Sequence, residues 1–312
     1  MEIISVRNLK KVYENIVAVD DISFCVEEGE VFGLLGPNGA GKTSTINMLT
    51  GLARPTGGKI TIAGIDAIKN IKKVQGIIGV VPDENNLYDE MNGFDNLCFC
   101  GSLYGMSGEE REKKAAELLE QFNLTAAGQR PFRTYSKGMK RKLTIAAGIM
   151  HNPRMLFLDE PTTGIDVESA RKIRELILNL KKQGKTILLT THYIEEAERI
   201  CDRIAIIVNG KIVKTGTVAE LMASVKAEYK LKLVLGSSIV EIKAELEEKF
   251  PCCRVEIPDK NTCLLIAGER INLSPVFQLL DRKGIPVYEA KEIQPSFEDV
   301  FVKITGLARS LK

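Results

Sequence analysis

The 312-residue sequence predicts an α/β chain with a parallel core sheet, a helical insertion and a smaller α+β extension at the C-terminal end. Three observations carry that expectation. Val31-Phe32-Gly33-Leu34-Leu35 is a short apolar strand that runs directly into a glycine-rich turn, with a helix from about Lys42. Lys185 to Thr191 and Arg203 to Val208 are continuous apolar runs, as expected for strands of a parallel sheet covered on both faces. Beyond residue 217 the texture changes to a β-α-β-β-α-β order, compatible with a small ferredoxin-like domain.

Taken along the chain, Ile3 to Val6 and Val17 to Val26 read as strands, and residues 87–150 as mostly helical. In that insertion Glu109 stands four before Lys113 and Glu110 four before Lys114, a pairing that reads as a solvated helix face. Met155-Leu156-Phe157-Leu158 is an oily strand that ends in a bare acid pair, Asp159-Glu160. The helix from about Val167 to Gln183 places Ile173, Leu176, Ile177 and Leu180 on one face, with Asp166 near its start and Gly184 just past its end. Thr217-Val218-Ala219-Glu220 has the capping-box pattern that opens a helix. In the extension "YKLKLVLG" alternates like a strand, 238–250 reads as a helix, and 253–257 with 262–267 as a hairpin across Asp259-Lys260-Asn261. A helix near 274–283, a strand near 285–290 and a last helix from about Ser296 follow. The expected domains are 1–220, with the helical insertion at about 87–150, and 221–312.

Composition excludes several classes. With 44% apolar residues and a net charge of +2 the chain can bury a large core plus a smaller one, and it has no broadly basic surface for nucleic acid. No apolar run reaches the roughly 18 residues needed to cross a bilayer, and the first residues lack the apolar centre of a signal peptide, so a soluble cytoplasmic chain is expected. Seven cysteines contain no C-x-x-C pair, which favours reduced, packed thiols over a metal site.

The chemistry lies in two stretches. "GPNGAGKTS" fits G-x-x-x-x-G-K-[ST] and comprises Gly36, Pro37, Asn38, Gly39, Ala40, Gly41, Lys42, Thr43 and Ser44. Between a strand and a helix, such a loop turns its N–H groups toward phosphates, with Lys42 meeting the β- and γ-phosphates and Thr43 a Mg²⁺ ion. Two adjacent carboxylates have no use in an apolar core. Asp159 is expected to reach the metal bound with the phosphates, and Glu160 to activate the attacking water.

With these motifs in place, the chain resembles the ATP-binding cassette ATPases, the nucleotide-hydrolysing subunits of ABC transporters. The resemblance covers residues 1 to about 220. It implies a P-loop NTPase cassette with a mostly parallel core sheet, an antiparallel β subdomain and a helical subdomain, using ATP and Mg²⁺. The family signature, usually Leu-Ser-Gly-Gly-Gln, corresponds to Tyr135-Ser136-Lys137-Gly138-Met139. Ser136 can cap the helix that follows, and with the backbone of Gly138 it forms an anion site, which in the family binds the γ-phosphate held by a second subunit. A homodimer is thus implied. Tyr13 takes the place of the adenine-stacking aromatic, Thr163-Gly164-Ile165-Asp166 that of the loop communicating across the dimer, and His192 that of the γ-phosphate switch histidine. His151 matches nothing and is read as structural.

One position departs from the family. Where most cassettes carry a glutamine after the strand Ile78-Gly79-Val80-Val81-Pro82, this chain has Asp83, then Glu84. An Asp is shorter, charged and acceptor-only, so metal coordination there is expected with altered geometry, with either Asp83 or Glu84 in the glutamine's role. "PSFEDVFVKITG", residues 295–306, resembles the ending of cassettes that serve separate six-helix permeases exporting drugs, antibiotics or lipids; a final amphipathic helix docking Phe297, Val300 and Phe301 also explains it.

The leading expectation is an export-type ATPase without nucleic-acid partners, peripheral on the inner membrane face through its permease, which presses on the helical insertion and the loop from Asp83 to Asp89. An alternative is a cassette acting mechanically on DNA or ribosomes. Against it, Gly36 and Ser136 are 100 residues apart without sustained heptads, and the chain holds one cassette. P-loop GTPases and small-molecule kinases leave the signature stretch unexplained, and there is no Asn-Lys-x-Asp guanine reader.

Overall fold

The structure is a computed structural model that describes residues 1–84, 86–224, 229–237, 242–293 and 296–306. Residues 238–241, where the sequence begins a predicted helix, Pro295 of the C-terminal motif and Asn85 of the 83–89 loop lie outside the described residues. The chain forms two compact units that divide at residues 218 and 219.

In chain order the first unit contains β1 (Glu2–Tyr13), β2 (Ile16–Glu27), β3 (Val31–Leu35), α1 (Lys42–Thr50), β4 (Gly57–Ile62), β5 (Ile65–Asp66), α2 (Ile71–Gln75), β6 (Ile78–Val81), α3 (Gly93–Leu103), α4 (Gly108–Gln121), α5 (Lys137–Gly148), β7 (Met155–Asp159), α6 (Val167–Lys182), β8 (Thr186–Thr191), α7 (Ile194–Ile200), β9 (Arg203–Val208) and β10 (Lys211–Gly216). A short helix, α8 (Val218–Ala223), stands at the boundary.

The core sheet has the order β10-β9-β3-β8-β7-β6. Its pairings from β9 to β6 are parallel, and β10 is an antiparallel edge. All five residues of β3, all five of β7 and all six of β8 are buried, which is why these segments read as continuous apolar runs. Register matters most for the site. Leu35 pairs with Thr191 and Asp159 with Thr190, so β3, β7 and β8 end at one edge of the sheet. In such sheets ligands bind beyond the carboxyl ends of the strands.

A second, antiparallel sheet runs β2-β1-β4-β5. β1 extends well past the predicted Ile3–Val6. Register shifts interrupt its pairing between Val6 and Lys11, and Asn8 there has a φ of 49°, so its apolar alternation is broken in the sequence although the strand continues. The two sheets share a core in which Phe24 and Phe32 stack with centroids 5.4 Å apart.

Helices α3, α4 and α5 form the insertion, and its charged face differs from the expected pairing. Glu110 turns back to the N-terminus of α4, accepting from the Ser107 N–H at 3.0 Å while the Ser107 hydroxyl accepts from the Glu110 N–H at 3.3 Å. Lys114 pairs with Glu117 instead, at 3.6 Å. Among the described residues Glu109 and Lys113 form no ion pair with each other. The capping box wins because it satisfies two backbone donors that otherwise lack partners.

The second unit contains β11 (Tyr229–Leu235), α9 (Lys243–Lys249), β12 (Cys253–Asp259), β13 (Thr262–Ala267), α10 (Leu273–Arg282), β14 (Val287–Ile293) and α11 (Phe297–Thr305). Its sheet, ordered β12-β13-β11-β14, is antiparallel throughout, the arrangement of a ferredoxin-like domain. Leu231, Leu233, Leu265, Leu246 and Leu279 fill its core. The strand expected near 285–290 runs over Val287–Ile293 instead, because the Ile285 N–H still closes α10 by donating to the Leu280 carbonyl at 3.0 Å and Pro286 has no N–H to give a ladder. Ser296 caps α11 in a capping box with Asp299, and Phe297, Val300 and Phe301 are buried.

His151 is held between β6 and the insertion. Its Nε2 lies 2.9 Å from the Ile78 carbonyl, and its ring stacks on Tyr104 at 3.6 Å between centroids. Burial holds its pKa below the ordinary imidazole value of 6.5, so protonation favours the unfolded chain. The stability it contributes is complete above pH 6.5 and is lost as the pH falls through the lowered value. Thermal melting of His151→Gln is expected to depend less on pH than that of the wild type between about pH 7.5 and 5.5; parallel curves for the two proteins would refute the assignment.

Candidate functional site

The glycine-rich loop leaves β3 and closes on α1. Gly36 donates to the Thr191 carbonyl at 3.2 Å, which ties the loop to the end of β8. Gly41 precedes α1 in a left-handed conformation, and Thr43 is exposed in the first turn, whose N–H groups have no carbonyl one turn earlier in the helix. Lys42 is buried. Its ammonium donates to the Gly36 carbonyl at 2.8 Å and the Pro37 carbonyl at 3.1 Å, and lies 3.0 Å from Glu160 Oε1.

Glu160 is the hub of the site. Only 7% of it is exposed. Besides Lys42, its Oε2 meets His192 Nδ1 at 2.8 Å and accepts from the Thr163 hydroxyl at 3.0 Å. Its backbone sits at a φ of 48°, a left-handed conformation that costs a non-glycine residue on the order of 1–3 kcal/mol and persists only where neighbours hold it. Three contacts do so: the Glu160 N–H donates to the Thr190 hydroxyl at 3.0 Å, and its carbonyl accepts from Arg141 at 3.1 Å and from the Thr163 N–H at 3.2 Å. The twist sends the two acids in different directions. Asp159, also buried, accepts from the Thr190 hydroxyl, so one threonine bridges both acids.

Asp83 lies half-exposed at the turn after β6. Burial, with Asp159 and Glu160 nearby, raises its pKa against the pull of Arg141. It belongs to the same network: Arg141 donates to its carbonyl at 2.8 Å and approaches its carboxylate at 3.4 Å. Thr43, Asp159 and Asp83 are hard oxygen donors, and among the described residues no three His, Cys, Asp or Glu side chains form a metal cage. That donor set fits Mg²⁺, which takes one or two carboxylates and fills its other positions with phosphate and water.

The remaining expected residues stand apart from this cluster. Ser136 is exposed and caps α5, accepting from the Met139 N–H at 3.3 Å. Gly138 is buried against α6, and a Cβ there would come within 2.7 Å of Ser169 Cβ, so helix packing demands glycine. Asp166 caps α6, accepting from the Ser169 N–H at 2.9 Å, and its pKa is lowered by its hydrogen bonds to Ser169. Tyr13 is exposed at the end of β1, with Lys11 Nζ 4.5 Å from its ring centroid. Ser136, Gly138, Asp166 and Tyr13 share no hydrogen bond with Lys42, Glu160 or His192 among the described residues.

Sequence reasoning missed Thr190, Arg141 and Glu196. Glu196, on α7, is buried and accepts from the Thr162 hydroxyl at 2.7 Å, and burial raises its pKa. Thr190 was open to detection, since two threonines closing the apolar run before His192 are polar groups at a buried strand end.

Residues 19–163 match the family model described as ABC transporter. The chain is 46% identical over 315 residues to the doxorubicin resistance ATP-binding protein DrrA of Mycobacterium tuberculosis, covering 96% of this chain and 92% of that protein. It is 42% identical over 230 residues to the linearmycin resistance ATP-binding protein LnrL of Bacillus subtilis, covering 74% of each. Among solved structures it is similar to an ATP binding subunit of an ABC transporter, with a TM-score of 0.65 and 31% identity over 71% of this chain and 92% of that one. It is also similar to an ATP-binding cassette described as a dimeric post-hydrolysis state with ADP and Pi, with a TM-score of 0.63 and 27% identity over 69% and 98% of the two chains.

Thr190→Val removes the hydroxyl shared by Asp159 and the Glu160 N–H, leaving each short of a partner in a buried place. A loss of about 1–3 kcal/mol in unfolding free energy is expected from denaturant titration, whereas Thr190→Ser, which keeps the hydroxyl, should stay close to the wild type.

Proposed function

Because the chain belongs to the ABC transporter family as an ATP-hydrolysing subunit, we propose that two copies drive the export of drug-like compounds through a separate membrane permease. The observation that carries this reading is the Glu160 carboxylate, buried between Lys42 of the phosphate loop and His192 beyond β8. A base aimed by the Lys42 ammonium, the His192 ring and the Thr163 hydroxyl is poised to accept a proton from water once one of those contacts is exchanged.

In this reading Lys42 exchanges the Glu160 carboxylate for the β- and γ-phosphates of ATP, and the N–H groups at the start of α1 cradle the same phosphates. Tyr13 stacks on the adenine. Mg²⁺ would be held by Thr43 and Asp159, with Asp83 in the place of the usual glutamine, and would neutralise charge on the phosphates. Ser136 and Gly138 of a second copy close over the γ-phosphate, and Asp166 lies in the loop between the copies. Support for dimerisation comes from the similar cassette described as dimeric.

The names of relatives as resistance ATP-binding proteins support export. No helix among the described residues is long and apolar enough to cross a membrane, so the membrane path is assigned to another chain. A groove of about 620 Å³ suits that partner. Leu52, Ile78, Val80, Pro82, Leu103 and Tyr104 line it, and Leu52 and Leu103 are 68% and 69% exposed. Apolar exposure of this kind marks docking surfaces. The cassette would then sit at the inner face of the membrane.

Lys42→Ala is expected to weaken ATP binding and abolish turnover. Glu160→Gln should retain ATP binding, lose at least ~10²-fold in hydrolysis and accumulate as an ATP-bound dimer detectable by size-exclusion chromatography. Normal hydrolysis by the Gln variant would exclude Glu160 as the base. Leu103→Glu should abolish co-purification with the permease; undiminished recovery of the complex would remove the groove from the interface.

A further inference from the structure

The signature helix α5 carries three consecutive cations, Lys140, Arg141 and Lys142, which the structure uses differently. Lys140 pairs with Asp89 at 3.2 Å, and Lys142 donates to the Phe122 carbonyl at 3.3 Å. Arg141 points inward, and its side chain is only 4% exposed. Its guanidinium donates to the carbonyls of Pro82 at 2.5 Å, Asp83 at 2.8 Å and Glu160 at 3.1 Å. A buried cation on three carbonyls from two loops is unusual, because carbonyls neutralise no charge; among the described residues the carboxylate paired with it is that of Asp83 at 3.4 Å.

We propose that Arg141 is a positioning residue for ATP hydrolysis, a clamp that fixes the Glu160 backbone to the Pro82–Asp83 turn. Glu160 stands in a left-handed conformation, and the direction of its side chain follows from where its carbonyl is held. Pro82 lines the groove, so one guanidinium spans from the groove to the residue that aims the carboxylate. A planar fork serves several fixed acceptors at once, which the single ammonium of a lysine cannot match. Displacement of the turn at the groove is thereby passed to Glu160 through two hydrogen bonds. The clamp rests on the reading of Glu160 as the base.

The test compares Arg141→Lys and Arg141→Gln with the wild-type chain in three measurements: kcat, equilibrium binding of a fluorescent ATP analogue, and hydrogen exchange of residues 160–164 without nucleotide. A misaimed base lowers kcat by roughly ten- to a hundredfold with nucleotide affinity within about twofold, because binding uses the phosphate loop. Exchange at 160–164 should speed up in both variants. Wild-type kcat in Arg141→Lys overturns the proposal, and so does an equal loss of affinity and kcat, which would mark a purely structural residue. Should Arg141→Gln fail to fold, Arg141→Lys keeps the charge and decides alone. Absence of ATP hydrolysis by the wild-type chain would defeat the functional reading itself, an outcome distinct from an insensitive Arg141.

Discussion

The site depends on one buried carboxylate. Removing an ion from water costs several kcal/mol unless partners replace the lost hydration, and Glu160 recovers it from Lys42, His192 and Thr163. Those partners come from the loop after β3, the segment after β8 and the loop after β7 itself. A single charge therefore fixes three chain segments relative to one another. The adjacent Asp159 stays outside this arrangement because it is the last residue of β7, paired with Thr190, whose hydroxyl donates to its carboxylate. Two acids side by side in sequence thus acquire separate surroundings, the condition for separate roles in catalysis.

The frame that makes this possible is the parallel register. Because β3, β8 and β7 are neighbours whose ends coincide, whatever follows each strand converges without long loops. The signature helix joins this frame through close packing. A Cβ on Gly148, at the end of α5, would lie within 3.0 Å of Val81 Cγ2, so the helix lies directly on β6 and carries Arg141 to the turn at Pro82. Packing of glycine against strand, a core feature, is in this way coupled to the position of the base.

Much of this was legible in the sequence, and for physical reasons. Strands buried on both faces leave continuous apolar runs, and β3 and β9 begin and end where such runs predict. The phosphate loop and acid pair announce themselves because phosphates and metals demand particular residue types at fixed spacing. What stayed hidden has nonlocal partners. Arg141 lies 58 residues from Asp83 and 59 from Pro82, and its acceptors are mostly carbonyls, which every residue possesses. Glu110 was misread because a helix-face pair and a capping box both use a glutamate near a helix start. The outcome turned on Ser107, one residue before α4. The strands β4, β5 and β10 left weak signals, because they are partly exposed and carry no continuous apolar run.

Nucleotide must displace a partner of Lys42. An ammonium group has three N–H donors, and those of Lys42 meet three acceptors: two carbonyls of its own loop and Glu160 Oε1. In the proposed cycle a phosphate cannot gain Lys42 without one of them giving way. The two carbonyls are part of the loop that must keep its curl to present N–H groups, whereas the Glu160 side chain is held by His192 and Thr163 as well and survives the loss of one partner. The exchange therefore falls on Glu160. Losing the ammonium frees Glu160 Oε1 to face water at the moment the phosphates arrive. In this account ATP binding and activation of the base are one event, driven by competition for a single lysine.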